Sequence, residues 1–281
     1  MQNIIINDVS YEVEDDVNIL EACRKADIFI PSLCYHPLIG CTCNDESCST
    51  SAFKNIEDEN IIKSEINASG SICCNLCLID IEFDGKHYIT RSCNTIARTG
   101  MIIKTETPEV VRKRKLAIEA LWARCPEVEI LKELSKNLGV DEVPFSQGNN
   151  NCIQCGLCIA ACRDIVMVDA LSFSGEGINR KAALKEPINC IGCGYCYTVC
   201  PTGAINPEKI IMNKFRNLPG NKRLCRFAIM ELIPFAFCSN SFRCFECEVD
   251  QRYRIFLPVH PVLIARASSN EKVAKYLREN H

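Results

Sequence analysis

The strongest constraint on this chain is a double run of cysteines between positions 152 and 200. Each run has three cysteines at intervals of three residues and a fourth cysteine four residues later. The eight positions are Cys152, Cys155, Cys158, Cys162, Cys190, Cys193, Cys196 and Cys200. This order is the one in which paired [4Fe–4S] clusters are held, with each fourth cysteine bound to the other cluster.

By that rule the sequence predicts two ligand sets. Those of the first [4Fe–4S] cluster are Cys152, Cys155, Cys158 and Cys200. Those of the second are Cys190, Cys193, Cys196 and Cys162. Each fourth cysteine is expected to open a helix that crosses to the other cluster. Buried thiols or two zinc sites are the alternatives, but zinc usually takes its four ligands as two separated pairs.

Composition limits what surrounds this core. The chain has 281 residues, 47% of them hydrophobic, which suffices for two or three globular domains. The first 16 residues are acidic, and no targeting segment is expected in them. The 22 cysteines are therefore predicted to be metal ligands in a reducing cytoplasm rather than disulfides. A net charge of −3 favours neither a nucleic-acid nor an anionic membrane partner, and no apolar run approaches the ~20 residues of a membrane span.

The N-terminal region predicts strands followed by a helix. Residues 3–6, the turn pair Asn7-Asp8 and residues 11–13 form a plausible hairpin. Asp15 and Asp16 suit a helix start, and residues 17, 20 and 23 then share one helix face. Cys23 is therefore expected in the core and not as a ligand.

A second cysteine group predicts a [2Fe–2S] site. Residues 78–83 and 87–90 alternate in polarity around an Asp84-Gly85 turn, which predicts a hairpin. That hairpin would carry Cys77 and Cys93 to the same region. One cysteine, a C-x2-C pair and a distant fourth form the plant-type arrangement on a β-grasp fold. The predicted ligands are Cys34, Cys74, Cys77 and Cys93.

Five segments carry a specific resemblance. They are residues 19–22, 30–37, 74–78, 100–105 and 190–205. They resemble the iron–sulfur subunit of respiratory complex I and the N-terminal regions of iron-only hydrogenases and NAD-dependent formate dehydrogenases. The resemblance covers about residues 1–210 and implies cluster-based electron transfer linked to NAD(P)H or ferredoxin. Large family members also have a histidine and three cysteines between the two ferredoxin regions. Here residues 122–126 hold only Cys125, which is expected to be structural.

An insertion departs from the family pattern. The family joins its first cysteine to its C-x2-C pair by a short loop, whereas 39 residues separate Cys34 from Cys74 here. The extra cysteines of this stretch are Cys41, Cys43, Cys48 and Cys73. They are either reduced thiols of a solvated loop or an additional metal site.

Helices are predicted between the two cluster regions. Residues 110–123 form one helix, whose basic run 112–115 is expected to be a solvated face or a docking point for an acidic partner. Pro126 suits the first turn of a second helix that stops at Gly139.

The C-terminal region has a four-cysteine set of its own. Cys225, Cys238, Cys244 and Cys247 suit either a [4Fe–4S] cluster or zinc, and we favour the cluster. Six apolar residues are expected to shield it, namely Phe227, Ile229, Phe235, Phe237, Phe242 and Phe245. A weaker resemblance links this CR…C…C-x2-C-x-x-D pattern to segments of anaerobic redox proteins.

The combined expectation is an α+β chain of four regions. Residues 1–108 form a β-grasp [2Fe–2S] domain with an insertion at about 38–72, and residues 109–148 form a helical linker. Residues 149–210 form a two-cubane ferredoxin domain, and residues 211–281 form a four-cysteine region. The chain has no G-x-G-x-x-G dinucleotide fingerprint and no P-loop, so neither a flavin nor a nucleotide site is expected on it. We expect a non-catalytic electron relay between a flavin- or NAD(P)-binding subunit and a second redox subunit or ferredoxin. A free-standing ferredoxin and a metal-binding scaffold or sensor are the alternatives.

Overall fold

The computed structural model describes residues 1–42, 71–143, 148–206 and 213–280. The chain divides into two structural units. The first comprises Met1–Gly156 with Gly177–Asn179, and the second comprises Leu157–Glu176 with Arg180–His281. Within the described residues, no helix has the length and apolar character needed to cross a membrane.

A five-stranded sheet forms the centre of the first unit. Its strands are β1 (Gln2–Ile6), β2 (Val9–Val13), β5 (Leu78–Phe83), β6 (Lys86–Arg91) and β7 (Ile102–Lys104), and a separate two-stranded ladder joins β3 (Tyr35–His36) to β4 (Gly40–Cys41). The order across the sheet is β2-β1-β7-β5-β6. Strands β1 and β7 are parallel, and the other neighbours are antiparallel. The β-grasp assignment stays a prediction.

Both predicted hairpins are present. Asn7 and Asp8 adopt φ values of 48° and 70°, and Asp84 and Gly85 adopt 52° and 69°. Positive φ at both central residues gives the tight turn whose twist matches the flanking strands, and Asn, Asp and Gly tolerate it best. The pairing of Ile6 with Val9 and of Phe83 with Lys86 closes the two turns.

The described part of the first unit contains the helices α1 (Ile19–Lys25), α2 (Pro108–Arg124) and α3 (Glu129–Asn137). Helix α1 begins three residues after the predicted start, because Asn18 caps it by accepting from the Glu21 N–H at 2.9 Å, while Asp16 has a φ of 61°. Cys23 is fully buried, as predicted. Helix α3 also begins later than Pro126, which precedes it.

The prediction that the basic run of α2 is a solvated face is wrong at Arg114. Arg112 is exposed, but Arg114 is only 1% exposed. Its Nη2 donates to the carbonyl oxygen of Leu78 at 2.6 Å, so the guanidinium lies beside the start of β5. Among the described residues, the Arg114 Nε has no hydrogen-bond partner.

In the residues that the structure describes, the second unit combines short helices with a small two-stranded ladder. Its helices are α4 (Leu157–Ala160), α5 (Tyr195–Thr198), α6 (Asn213–Arg216), α7 (Arg226–Ile229), α8 (Glu248–Phe256), α9 (Pro261–Arg266) and α10 (Glu271–Asn280). Strands β8 (Leu171–Ser174) and β9 (Lys181–Leu184) pair antiparallel. A π-helical turn, Ala161–Ile165, follows α4 directly. The expectation that each fourth cysteine opens a helix is wrong, since Cys162 lies inside this turn and Cys200 lies after α5.

Candidate metal centres

The four predicted [2Fe–2S] ligands meet in the first unit as two pairs of buried thiols. The Sγ atoms of Cys34 and Cys74 are 3.3 Å apart, and those of Cys77 and Cys93 are also 3.3 Å apart. Cys34 additionally contacts Cys93, which joins the two pairs. Since each iron of a [2Fe–2S] cluster takes two protein ligands, two sulfur pairs are the donor arrangement that such a cluster needs.

Backbone geometry holds the first pair. The N–H of Leu33 donates to the Cys74 sulfur at 3.5 Å, and the N–H of Cys74 donates to the Cys34 sulfur at 3.5 Å. The hydrogen bond with Cys34 lowers the pKa of the Cys74 thiol to about 7. A thiol with a lowered pKa fits a ligand site, because the thiolate is the form that binds metal.

The second pair depends on the hairpin of β5 and β6. Cys77 immediately precedes β5, and Cys93 lies in a 3-10 turn directly after β6. Ser92 ties the two ends together, because its N–H and its hydroxyl both donate to the Cys77 carbonyl oxygen at 2.9 Å. The hairpin register therefore fixes the distance between the two cysteines, as the sequence predicts.

A fifth thiol, that of Cys41, lies beside the four predicted [2Fe–2S] ligands. In the sequence, Cys41 belongs to the insertion. Cys41 is in hydrogen-bonding contact with Cys34 and with Cys93. Cys43 and Cys48 lie outside the described residues. The additional metal site of the insertion stays a prediction.

The predicted ligands of the second [4Fe–4S] cluster come together in the second unit. Cys190, Cys193 and Cys162 each interact electrostatically with Cys196. Burial raises the pKa of Cys193 to about 12 and that of Cys196 well above its usual value, and the neighbouring thiols add to both shifts. Several such thiolates are unfavourable together unless a cation compensates their charge.

Left-handed glycines and backbone donors shape this loop. Gly192 and Gly194 alternate with the cysteines and have φ values of 68° and 81°. Such a conformation curls the chain around a point and is accessible to glycine at little cost. The N–H of Ala170 donates to the Cys162 sulfur at 3.3 Å, which stabilises a thiolate at this position.

Of the other predicted [4Fe–4S] ligands, Cys152 and Cys155 belong to the first unit, and Cys158 and Cys200 belong to the second. In the first unit, Arg124 Nε donates to the carbonyl oxygen of Cys152 at 2.8 Å, and Asn150 Oδ1 accepts from its N–H at 2.8 Å. Cys155 is buried, and its carbonyl oxygen accepts from the Thr42 hydroxyl. In the second unit, Cys158 lies in α4 and Cys200 contacts the Thr202 hydroxyl at 3.6 Å.

Cys238 and Cys247 lie near Cys244 in the second unit, and the segment that carries Cys225 pairs with the segment that carries Cys238. The N–H of Cys225 donates to the Ala236 carbonyl oxygen at 2.8 Å, and that of Cys238 donates to the Arg223 carbonyl oxygen at 2.7 Å, so two chain segments pair. Cys247 donates its N–H to the Cys244 carbonyl oxygen at 3.0 Å. Burial raises the pKa of Cys244 to about 11, and Cys238 and Cys247 contribute to the same shift.

The predicted apolar shield of this four-cysteine site is only partly present. Phe227 and Phe242 are buried, and Ile229 is half-buried. Phe235, Phe237 and Phe245 are instead exposed by 72%, 52% and 47%. The rings of Phe235 and Phe237 pack edge to face against each other rather than inward, which accounts for part of this exposure.

A cavity of about 270 Å³ lies beside both cysteine sites of the second unit. Its wall includes Cys193 of the predicted cubane and Cys244 of the C-terminal set, with Arg226, Asp250 and His260. Burial lowers the pKa of His260 to about 4, so its imidazole is neutral at neutral pH. Within the described ranges, no three His, Cys, Asp or Glu side chains are gathered as a single metal ion requires.

Comparison with known proteins agrees with this picture of the cysteine-rich core. Residues 148–206 match the family model of a 4Fe–4S dicluster domain. The chain is 24% identical over 257 residues to the NADP-reducing hydrogenase subunit HndD of Solidesulfovibrio fructosivorans, covering 75% of this chain and 39% of that protein. It is 22% identical over 231 residues to the mitochondrial 78 kDa subunit of the NADH-ubiquinone oxidoreductase of Neurospora crassa, covering 72% and 27%.

A solved structure shares the mixed α/β fold. It is the crystal structure of an NAD+-reducing [NiFe]-hydrogenase in the H2-reduced state, with a TM-score of 0.51 and 22% identity. The match covers 73% of this chain and 86% of that chain. The resemblance to iron–sulfur regions of complex I and hydrogenases is thus confirmed, and the chain spans less than two fifths of the length of the curated relatives described above.

Proposed function

We propose that this chain is an iron–sulfur electron-transfer subunit of a multi-subunit, NAD(P)-linked oxidoreductase. One observation carries the proposal above the others. Cys162, Cys190 and Cys193 each interact electrostatically with Cys196 in the second unit, inside the segment that matches a 4Fe–4S dicluster domain. The crossed ligand rule predicted this grouping from spacing alone.

The residues around the sulfurs are suited to setting a reduction potential. When bound, iron–sulfur clusters accept and release single electrons. Backbone N–H groups of Leu33, Cys74, Ala170 and Phe242 donate to cysteine sulfurs at 3.2–3.5 Å. Such donors stabilise negative charge on the ligand sulfurs, so they favour the reduced state of the site.

A third [4Fe–4S] cluster is proposed at the C-terminal set, in series with the predicted cubanes. Cys193 and Cys244 line one cavity, so a cluster at either site would lie close to its neighbour. Close spacing is what electron hopping requires. Zinc at this set is the alternative, and it would end the relay at the second cubane.

The partners are proposed from the relatives. Their names describe a subunit of an NADP-reducing hydrogenase and a subunit of an NADH-ubiquinone oxidoreductase. We therefore propose a flavin- or NAD(P)-binding subunit on one side and a second redox subunit or ferredoxin on the other, in the cytoplasm. An electron-bifurcating hydrogenase, a transhydrogenase and a formate dehydrogenase are complexes of the proposed type.

Two measurements test this function. Purified anaerobically from its own host, the chain should co-elute with a flavin-containing subunit and become reduced when NADH or NADPH is added. Purified alone, it should accept electrons from dithionite, oxidise neither NADH nor NADPH, and retain no flavin. Elution from its host as a single chain would instead indicate a free-standing ferredoxin, and stoichiometric flavin on the lone chain would contradict the relay role.

A further inference from the structure

One cysteine of the insertion, Cys41, lies at the predicted [2Fe–2S] site. Strands β3 and β4 form a short antiparallel ladder in which Tyr35 pairs with Cys41 and His36 pairs with Gly40. The chain therefore reverses within a few residues after Cys34. This reversal brings Cys41 beside Tyr35, the residue that directly follows Cys34.

The Cys41 thiol contacts one member of each sulfur pair. It is in hydrogen-bonding contact with Cys34 of the first pair and with Cys93 of the second. Two further observations agree with this position. Strand β4 packs against the 3-10 turn that carries Cys93, and the Cys41 side chain packs against the buried core that includes Cys77 and Cys93.

Cys41 differs from the four predicted ligands in its exposure. Those four are between 1% and 3% exposed, whereas Cys41 is half-buried. It therefore lies on the more accessible side of the group. Because the Cys41 thiol already contacts Cys34 and Cys93, it lies next to the sulfurs whose places it would take.

We propose that Cys41 is an alternative ligand of the predicted [2Fe–2S] cluster, able to replace Cys34 or Cys93 at iron. This inference rests on the proposed function, which supplies the cluster. In the exchange, an Fe–S bond to Cys41 forms as the bond to the outgoing cysteine breaks. Cys41 releases its proton, the outgoing thiolate takes up a proton, and no electron is gained or lost.

The test removes each ligand with and without Cys41 in the full-length chain. We would prepare Cys34→Ala, Cys93→Ala, Cys41→Ala and the doubles Cys34→Ala/Cys41→Ala and Cys93→Ala/Cys41→Ala anaerobically. Iron and sulfide are counted, and the [2Fe–2S] EPR signal is recorded after dithionite reduction. The [4Fe–4S] signals in the same sample report that the chain is folded. Alanine is used because a serine oxygen could itself bind iron.

Cys41→Ala alone should keep the [2Fe–2S] signal. At least one of the other single variants should also keep it, with shifted g values, and the matching double should lose the signal and about two irons. Loss from both Cys34→Ala and Cys93→Ala overturns the proposal, as does loss from Cys41→Ala alone, which would make Cys41 an obligate ligand. A wild-type chain without the signal would instead refute the predicted [2Fe–2S] site itself.

Discussion

Arg226 donates a hydrogen bond to the carboxylate of Asp250, which is only 1% exposed. Arg254 Nε donates to the other carboxylate oxygen at 2.5 Å, so Asp250 lies between two guanidinium groups. Arg226 directly follows Cys225, and Asp250 follows Cys247 by three residues. The ion pair therefore joins the two ends of the four-cysteine segment and explains the arginine and aspartate of the CR…C-x2-C-x-x-D pattern.

Removing Asp250 should destabilise the second unit. Asp250→Ala leaves the buried Arg226 charge without its partner, and breaking a buried pair in this way costs about 3–5 kcal/mol. Hydrogen exchange of α8, which carries Asp250, measures the loss directly. Glu248→Ala on the same helix is the matched control, because its pair with Arg252 is well exposed and should contribute at most about 1 kcal/mol. Equal effects from both variants would show that the pair does not hold this region.

Arg114 should raise the reduction potential of the predicted [2Fe–2S] site. Its buried guanidinium interacts electrostatically with Cys77 and donates to the neighbouring Leu78 carbonyl. Burial lowers the pKa of Arg114, but an arginine stays charged in proteins, and a buried positive charge stabilises an added electron. Arg114→Gln should lower the midpoint potential in an EPR-monitored redox titration. Arg112→Gln changes an exposed residue of the same helix and should leave the midpoint potential unchanged. If Arg114→Gln also leaves the potential unchanged, Arg114 does not raise it.

Cys23 and Cys125 should resist alkylation while the chain is folded. Burial raises the pKa of Cys23 to about 11 and that of Cys125 to about 12, and both are fully buried. At pH 8 a thiol of pKa 11 is thiolate in roughly one molecule per thousand, and only the thiolate reacts. Mass spectrometry after iodoacetamide treatment should find both unmodified until denaturant is added. Rapid labelling of either in the native chain would show that it is not a core residue.

The hairpins and the cysteine groups could be predicted from the sequence because both are local patterns. Turn pairs such as Asn7-Asp8 fix a register within a few residues, and metal ligation depends on cysteine spacing. Arg114 could not be predicted in this way. A basic run predicts a solvated face, and only the tertiary contact with Leu78 reveals that one of its members is buried.

The positions of Cys41, Phe235 and Phe237 could not be predicted from local sequence patterns either. Cys41 stands far from Cys93 in sequence, and the β3–β4 ladder that contains Cys41 has only two residues in each strand. Such a ladder is too short to give a periodic pattern. Phe235 and Phe237 were expected inside because they are apolar, but they face solvent, and apolar character alone does not guarantee burial.

The C-terminal set should hold iron rather than zinc. Cys244→Ala/Cys247→Ala should remove about four irons and one low-temperature EPR signal, with the remaining clusters still reducible. Metal analysis of the variant and the wild type measures both elements in one sample. Cys125→Ala is the control, because it removes a buried cysteine that is not a predicted ligand. A variant that keeps its full iron content and loses one zinc would show that the site is structural.

The most direct test of the electron-relay account is the iron and sulfide content of the anaerobically reconstituted wild-type chain. One [2Fe–2S] and three [4Fe–4S] clusters predict about 14 irons per chain, with an equal number of sulfides. If the C-terminal set holds zinc, the figure falls to about 10, which still leaves the two cubanes and the [2Fe–2S] cluster. A chain that saturates at about two irons would contradict the assignment of Cys162, Cys190, Cys193 and Cys196 to a cubane, and with it the proposed function.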